Sequence, residues 1–244
     1  MTETTSGPVP GLTPGSAPGG SLPASLTDVT VAVLGGTGPQ GRGLARRFAA
    51  AGIPVVLGSR SAERAAEAAT ELAAGGGPVS GLDNEGAAAA GDVVVVAVPW
   101  DGHADLLEGL ATALTGKIVV DCVNPLGFDK RGAFVLDVEE GSAAEQAAAL
   151  LPGSTVVGAF HNVSAVKLDD PDLAEVDTDV LVLGEGEARE ACDLVQDLAA
   201  VIPGVRGIYG GRLRNAHQVE SLTANLISVN RRYKAHAGIR VTDI

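Results

Sequence analysis

The chain has 244 residues, 45% of them hydrophobic, which is enough to bury a large core in one or two domains. Its 17 basic residues stand against 30 acidic ones, so the general electrostatic field repels nucleic acids and anionic membranes. No apolar run reaches membrane-spanning length and the N-terminus lacks the pattern of a signal peptide, so we expect a cytoplasmic protein. Cys122 and Cys192 fit no metal or redox spacing, so we expect buried thiols and no metal site.

The first 27 residues are rich in Pro, Gly, Ser and Thr, and Glu3 is their only charged side chain. Because such a segment buries too little apolar surface to fold, residues 1–27 are predicted to be a disordered tail. Residues 28–163 are predicted to form a nucleotide-binding domain. Residues 164–244 are predicted to form a smaller C-terminal α/β domain.

A β-branched strand, a glycine turn, a helix and a second strand follow one another in residues 29–60. This is the order of a dinucleotide-binding βαβ unit. Gly36, Gly38 and Gly41 form the pattern G-x-G-x-x-G. In this pattern the first glycine permits the tight turn, the second lets a pyrophosphate approach the backbone, and the third packs the helix against the strand. The alternative is a tight turn in a domain that binds no nucleotide.

The second strand ends on Gly58-Ser59-Arg60, where an NAD site usually has a carboxylate for the ribose 2′-hydroxyl. A hydroxyl and a guanidinium are instead donors for a 2′-phosphate, and Arg64 follows one helical turn later. The sequence therefore predicts NADP rather than NAD. The arginines of the first unit favour a focused anion site; they are Arg42, Arg46, Arg47, Arg60 and Arg64.

Alternating strand and helix signals predict a doubly wound parallel sheet of the Rossmann type. The apolar runs 93–98 and 117–121 are typical of central strands that are covered on both faces. The predicted strands are 30–34, 55–57, 93–98, 117–121 and 155–160. The predicted helices are 40–51, 62–74 and an alanine-rich segment that begins after a capping box at Ser142 and ends near Leu151. We expect the sheet to end at the strand 155–160.

The C-terminal part shows a strand at 179–183, a helix at 187–201, a strand at 205–209 and a long helix over about 212–236. That last helix carries an apolar stripe, which must be covered. Packing within the chain and packing in a dimer both remain open. The stripe consists of Val219, Leu222, Leu226, Val229 and Tyr233.

Ligands of open α/β sheets bind beyond the carboxyl ends of the strands. Besides the glycine turn, the segments expected there are Val98-Pro99-Trp100, Asn124-Pro125-Leu126 and His161-Asn162-Val163-Ser164. Trp100, the only tryptophan, is a candidate wall over a flat ring or an anchor between domains. His161 is a candidate for orienting a carbonyl group by a hydrogen bond, with a proton donor or a structural residue as alternatives. No catalytic residue is certain.

Reduction of an isolated ketone normally needs a positioned acid, and none is convincing here. Neither Tyr209 nor Tyr233 has the Tyr-x-x-x-Lys spacing of short-chain dehydrogenases, and the C-terminal helix lacks the lysine of β-hydroxyacid dehydrogenases. A conjugated ring that accepts hydride needs mainly stacking and orientation. The sequence therefore favours hydride transfer between two cofactors.

The segments GGTGPQGRGLA, GSR, VPW, NPL, HNVSA and VESLTANL occur in this order and resemble NADPH-dependent reductases of the 8-hydroxy-5-deazaflavin coenzyme F420. The resemblance runs from Val29 to the C-terminus. It implies a Rossmann domain with a small C-terminal domain, and an oxidoreductase that moves hydride reversibly between NADP(H) and F420. It also implies that both cofactors diffuse in as substrates and that the protein is a homodimer.

The resemblance further implies a set of cofactor-binding residues. At the nucleotide it places Thr37, Ser59, Arg60 and Arg64 on the 2′-phosphate, Gly38, Pro39 and Gln40 on the pyrophosphate, and Val98, Pro99 and Trp100 beside the NADP. Around the deazaflavin it places Leu126, His161, Val163, Ala165, His217, Glu220, Ser221 and Thr223. The sequence departs from the family pattern at Asn162, at Ser164 and in the spacing after Trp100, which leaves the place of His103 open.

Two other functions use the same fold: an NADPH-dependent reductase of a small imine, ketone or metal-bound acceptor, and a non-enzymatic NADP redox sensor. A basic cluster near the C-terminus could receive the anionic tail of F420 or be ordinary solvated charge. The cluster consists of Arg206, Arg212, Arg214, Arg231, Arg232, Lys234 and Arg240.

Overall fold

A computed structural model of the chain describes residues 22–244. The tail prediction for residues 1–21 lies outside the described residues. Its last part is wrong, because Ala24–Leu26 forms a turn of 3-10 helix and buries Leu26 in the core. Ser25 Oγ also donates a hydrogen bond of 2.5 Å to the carboxylate of Asp197. Residues 24–26 therefore belong to the folded part of the chain.

The described residues form ten strands and eight α-helices. The strands are β1 Val31–Leu34, β2 Val55–Ser59, β3 Val79–Asp83, β4 Val93–Val96, β5 Ile118–Asp121, β6 Leu126–Asp129, β7 Gly132–Val135, β8 Thr155–Gly158, β9 Thr178–Leu183 and β10 Val205–Gly211. The helices are α1 Pro39–Ala50, α2 Ala62–Ala73, α3 Asn84–Ala90, α4 His103–Leu114, α5 Ala143–Leu150, α6 Ala165–Asp169, α7 Arg189–Ala200 and α8 Ala216–Tyr233. No helix in this part of the chain combines the length and apolar character that crossing a membrane requires.

Eight strands form one sheet in the order β10-β9-β8-β5-β4-β1-β2-β3, and β6 and β7 form a separate antiparallel hairpin. All neighbours in the sheet are parallel except β8 and β9, which meet at Gly158 and Leu183. The predicted α/β class and Rossmann-type sheet are confirmed. The expected end of the sheet at β8 is wrong, because β9 and β10 continue the same sheet. The domain division at residue 163 stays a prediction.

Two apolar cores lie on opposite faces of the sheet. Side chains alternate along β1, so that Val31 and Val33 belong to one core and Ala32 and Leu34 to the other. Both faces are covered by helices, which explains why the central strands read as continuous valine runs. Cys122 and Cys192 are buried free thiols, as predicted.

Helix α1 packs closely against α6, the short helix that follows β8. A Cβ on Gly43 would lie 2.6 Å from the Cβ of Leu168, so only glycine permits this approach. The Arg47 guanidinium caps the same segment by donating hydrogen bonds of 2.8 to 3.0 Å to backbone carbonyls of Lys167, Leu168, Asp170 and Leu173. Arg47 therefore holds the chain after β8 and not an anion.

Two more of the arginines expected at an anion site pair with carboxylates. Arg42 lies 2.9 Å from Glu71 and 3.4 Å from Asp169, and Arg46 lies 2.9 Å from Asp169. Half-buried guanidiniums with carboxylate partners are structural ion pairs. The expectation of five arginines around one anion is thus wrong for three of them.

The C-terminal segment is tied to β9 by the buried carboxylate of Asp179. Arg206 donates two hydrogen bonds to it at 2.7 and 2.8 Å, and Arg240 and the amide of Val241 donate at 2.6 Å. Burial alone would raise the pKa of Asp179, but these hydrogen bonds outweigh it and hold the pKa below its ordinary value. Arg206 and Arg240 are therefore structural, and only the rest of the basic cluster is available to an anionic tail.

Helix α8 starts later and ends earlier than predicted, because β10 extends to Gly211 and a 3-10 turn follows it. The start of its apolar stripe, at Val219, is buried against the chain itself. The end is exposed, with Val229 at 38% and Tyr233 at 73%. Packing within the chain therefore covers only the first half of the stripe.

Candidate functional site

The turn between β1 and α1 is built from close backbone contacts. The amide of Gly36 donates to the carbonyl of Gly58 at 3.1 Å, which ties the ends of β1 and β2 together. The residue with left-handed backbone is Gly35, with φ +75°, one position before the first glycine of the predicted pattern. A Cβ on Gly36 would lie 2.9 Å from the carbonyl of Val33, so crowding, and not φ, requires glycine there. The assignment of the tight turn to Gly36 is corrected accordingly.

The other two glycines have contrasting surroundings. A Cβ on Gly41 would lie 2.6 Å from the carbonyl of Gly35, so α1 can approach the turn only with glycine at this position. A Cβ on Gly38 would meet one atom within 4 Å, at 3.3 Å, so the space in front of this residue is nearly empty. Helix α1 begins at Pro39 without a side-chain cap on its N-terminal amides. This end of α1 can therefore bind an anionic group through its backbone.

The end of β2 lies beside this turn and is followed by two arginines, Arg60 and Arg64. Ser59 is largely buried, whereas Arg60 and Arg64 are exposed. No carboxylate of residues 22–244 forms an ion pair with either guanidinium. The neighbouring acid, Asp83 on β3, accepts a hydrogen bond of 2.7 Å from the amide of Gly86 and caps α3. The edge beside the turn is therefore locally cationic in an acidic protein.

A cavity of about 560 Å³ lies at the carboxyl ends of β4, β5 and β8. It is bounded by α8 and by the hairpin β6–β7. The structure brings together eight of the predicted residues on its wall: Gln40, Val98, Pro99, Trp100, Leu126, His161, Val163 and Thr223. Sequence reasoning missed Phe128, Leu136 and Ile227, which line it as well. A turn signal at Lys130-Arg131-Gly132 between two short apolar segments could have revealed the hairpin.

Two polar side chains fix the backbone of His161 at the cavity. Thr223 Oγ1 and Asn124 Nδ2 each donate a hydrogen bond of 2.9 Å to its carbonyl oxygen. The Oδ1 atom of Asn124 is buried and accepts no hydrogen bond from any described residue. Since Asn124 also lines the cavity, this oxygen is a candidate acceptor for an N–H or O–H group of a ligand.

The imidazole of His161 is buried at the cavity, and its contact with a cofactor ring stays a prediction. Its side chain is fully enclosed, and its Nε2 lies 4.0 Å from Glu220 Oε1. Neither ring nitrogen has a hydrogen-bond partner among the described residues. Burial lowers the pKa of His161 to about 4, against a smaller opposing effect of the Asp121 charge, so the ring is neutral. The preceding Phe160 has φ +62°, an unfavourable backbone angle that redirects the chain after β8.

Glu220 is not among the residues on the cavity wall, and its contact with the deazaflavin stays a prediction. Its carboxylate is buried and accepts hydrogen bonds from the amides of Ala143 at 3.0 Å and Ala144 at 3.2 Å. It therefore caps α5, where a negative charge is favoured by the helix dipole. Burial raises the pKa of Glu220 to about 7 even though these hydrogen bonds oppose the shift.

The remaining predicted residues lie outside the cavity wall. His217 and Ser221 are one turn apart on α8, with His217 Nε2 3.5 Å from Ser221 Oγ, and His217 is exposed. Ala165 begins α6 and is half-buried. Thr37 is exposed at the glycine turn. Their contacts with a cofactor stay predictions.

Together the fold and these side chains define a class: a Rossmann-type dinucleotide-binding protein with a second cavity at the carboxyl ends of its strands. A family model described as NADP oxidoreductase, coenzyme F420-dependent, matches residues 30–125. The chain belongs to the family of F420-dependent NADP reductases, as its similarity to members over most of its length shows.

Relatives with this name include proteins of two Methanothermobacter species and of Methanocaldococcus jannaschii. The chain is 40% identical over 226 residues to the F420-dependent NADP reductase of Methanothermobacter thermautotrophicus, a match that covers 88% of this chain and 95% of that protein. It is also 40% identical to the Methanocaldococcus jannaschii protein of the same name, over 88% of this chain and 98% of the relative. The fold is similar to the crystal structure of a protein from Arthrobacter sp. FB24, with a TM-score of 0.72 and 25% identity over 88% of this chain and 100% of that one.

Proposed function

We infer that this protein is an oxidoreductase that transfers a hydride reversibly between NADP(H) and coenzyme F420. The observation that carries the inference is the 40% identity, over 88% of the chain, to proteins named for this activity. The cavity beside the glycine turn supports it, because 560 Å³ lies within the usual range of small-molecule sites.

The residues around the glycine turn fit NADP. The empty space before Gly38 leaves room for a pyrophosphate at the N-terminus of α1. Arg60 and Arg64 would hold the 2′-phosphate by charge-assisted hydrogen bonds, with the Ser59 hydroxyl beside them. The acid on the neighbouring strand, Asp83, uses Oδ1 to cap α3.

The cavity residues fit two stacked rings. Val98, Trp100 and Val163 offer apolar surface that excludes water and holds a flat ring in place, and Asn124 Oδ1 offers an acceptor. The bound pair supplies the chemistry, a hydride exchanged between nicotinamide C4 and deazaflavin C5, with one proton taken up when F420 is reduced. The enclosed imidazole of His161 is uncharged at neutral pH and is therefore a weak acid, so we assign it no proton transfer.

Mixing the protein with NADPH and F420 and following the visible absorbance of F420 tests the activity. We expect rapid bleaching that requires both the protein and NADPH, and recovery of the absorbance when F420H₂ is mixed with NADP⁺. If F420 is not bleached but an imine or ketone is reduced, the alternative class of acceptor is supported. Binding of NADPH with turnover of neither would support the redox sensor.

We propose that the protein is a homodimer whose second copy covers the hairpin and the end of α8. Phe128, 69% exposed, and Val135, 39% exposed, share one face of the hairpin, and Tyr233 at the end of α8 is 73% exposed. Since β7 packs beside α8, these exposed apolar side chains favour a subunit contact in this region. Phe128 also lines the cavity, so a second copy on this surface would help to enclose it.

Light scattering during size-exclusion chromatography tests this proposal. The wild type should have twice the chain mass, and Phe128→Ser combined with Tyr233→Ser should shift it towards the monomer. Val166→Ser, which changes a 62% exposed valine on α6, is the control and should leave the mass unchanged. A monomeric wild type would contradict the proposal. A cytoplasmic location, where two diffusible cofactors meet, is also proposed and is tested by cell fractionation.

A further inference from the structure

The wall of the cavity at Trp100 is backed by a buried histidine. His103 is the first residue of α4 and has no exposed surface. Its imidazole stacks on the indole of Trp100, with ring centroids 5.4 Å apart and an interplanar angle of 29°. Gly102, with φ +95°, turns the chain sharply between the two residues. The indole therefore has the cavity on one side and His103 in contact with its ring.

Both nitrogens of the His103 ring face hydrogen-bond acceptors. Nε2 lies 2.7 Å from Asp121 Oδ2, and Nδ1 lies 3.0 Å from Gln146 Oε1. The amide nitrogen of Gln146 donates to Glu140 at 3.2 Å, which leaves its oxygen towards His103. A neutral imidazole carries one N–H and can satisfy one acceptor, whereas an imidazolium satisfies both. The geometry thus fits the protonated ring.

The charges around His103 favour the same state. Asp121 faces the ring from β5 and Glu220 from α8. Gln146 faces it from α5 and is itself hydrogen-bonded to Glu140, which precedes that helix. Burial by itself lowers the pKa of His103, but the hydrogen bond and charge of Asp121 and the smaller effects of Gln146 and Glu220 raise it above 6.5. A cation in contact with an indole face is attracted by the ring quadrupole.

We propose that His103 is a positioning residue: held between Asp121 and Gln146 as an imidazolium, it stacks on Trp100 and fixes the orientation of the indole at the cavity. The functional part of this role rests on the proposed activity, in which Trp100 contacts a cofactor ring. The pairing of the two side chains can be tested without any cofactor.

The fluorescence of the single tryptophan tests the pairing in the free protein. A protonated imidazole in contact with an indole quenches its emission, so the wild-type emission should rise with pH, with a midpoint above 6.5. His103→Gln should abolish this titration. Asp121→Asn should lower the midpoint by about one pH unit or more. Gln146→Leu removes the other acceptor and should also lower the midpoint, so it serves as the test if Asp121→Asn does not fold.

Two variants control for other titrating groups. His236→Gln changes an exposed histidine after α8 and should leave the titration intact. Glu220→Gln should retain a titration, because Glu220 does not touch Trp100. A titration that persists in His103→Gln, or a wild type without one, would overturn the pairing.

Kinetics test the positioning role. His103→Gln should lower kcat for F420 reduction about tenfold or more, while the Kd for NADPH changes less than about threefold, because the phosphate groups of the nucleotide are held at the glycine turn and β2. An unchanged kcat in a variant that has lost the titration would overturn the positioning role. Wild-type protein that reduces no F420 would contradict the proposed function instead, and the fluorescence titration alone would then decide the pairing.

Discussion

Removal of the Arg60 side chain tests how the protein distinguishes NADPH from NADH. Arg60 lies at the carboxyl end of β2, next to the turn that Gly36 and Gly58 hold together. Its guanidinium has no carboxylate partner in the part of the chain that the structure describes, so its loss breaks no ion pair of the protein. Arg60→Ala should therefore act on the bound nucleotide and hardly on the fold.

One charge-assisted hydrogen bond to a phosphate contributes about 1.5 to 3 kcal/mol. Losing it corresponds to an increase of about 10- to 150-fold in the Kd for NADPH. NADH has no 2′-phosphate, so its Kd should change less than about threefold. Arg64→Ala should show the same preference with a similar or smaller effect, because Arg64 is exposed one helical turn further along.

The assay is a titration of each variant with NADPH and NADH, together with kcat/KM for F420 reduction by both. Arg42→Ala is the matched control, because this arginine belongs to the same βαβ unit but pairs with Glu71 and Asp169. It should change the two nucleotides by equal factors. Equal losses for NADPH and NADH in Arg60→Ala would refute the assignment of the 2′-phosphate to this guanidinium.

Three further predictions concern stability. Because of Glu220, the free energy of unfolding should fall by about 2–3 kcal/mol as the pH rises from about 5 to 8. The folded-state pKa of about 7 means that the folded chain keeps this proton where the unfolded chain has lost it. Urea titrations of Glu220→Gln should lack this fall. Gly43→Ala should destabilise the protein by about 1–3 kcal/mol, since the new Cβ would meet that of Leu168. Gly109→Ala, which has open space around it in α4, should stabilise the protein by about 0.5–1 kcal/mol. Shifts of the melting temperature with the same sign in both variants would contradict this. Asp179→Asn should lower the free energy of unfolding by about 3 kcal/mol at neutral pH, because two arginines lose their shared carboxylate. In the wild type this contribution should disappear only as the pH falls below about 3.9 towards the lowered pKa of Asp179. Unchanged stability towards urea at pH 7 would contradict the prediction.

Patterns along the chain predict the features that depend on local backbone requirements. The glycine spacing after β1 reflects close contacts within a few residues, such as the approach of Gly41 to Gly35. The valine run of β4 reflects burial on both faces of a parallel sheet. The helix α2 begins where Ser61 caps it, within one residue of the prediction. Such patterns are readable because each needs only its own neighbours along the chain.

Contacts between distant segments select which charged and polar side chains are free to bind a ligand. Arg46 and Asp169 are 123 residues apart in sequence. Local sequence patterns therefore cannot show the ion pair that removes Arg46 from the anion site. The ring of His161 is enclosed because Glu220 on α8 and the backbone of Phe160 place it there. A sequence shows that a residue is charged but not whether a partner neutralises the charge. Its partner is chosen by packing between distant segments, and that packing separates the binding residues from those that hold the fold.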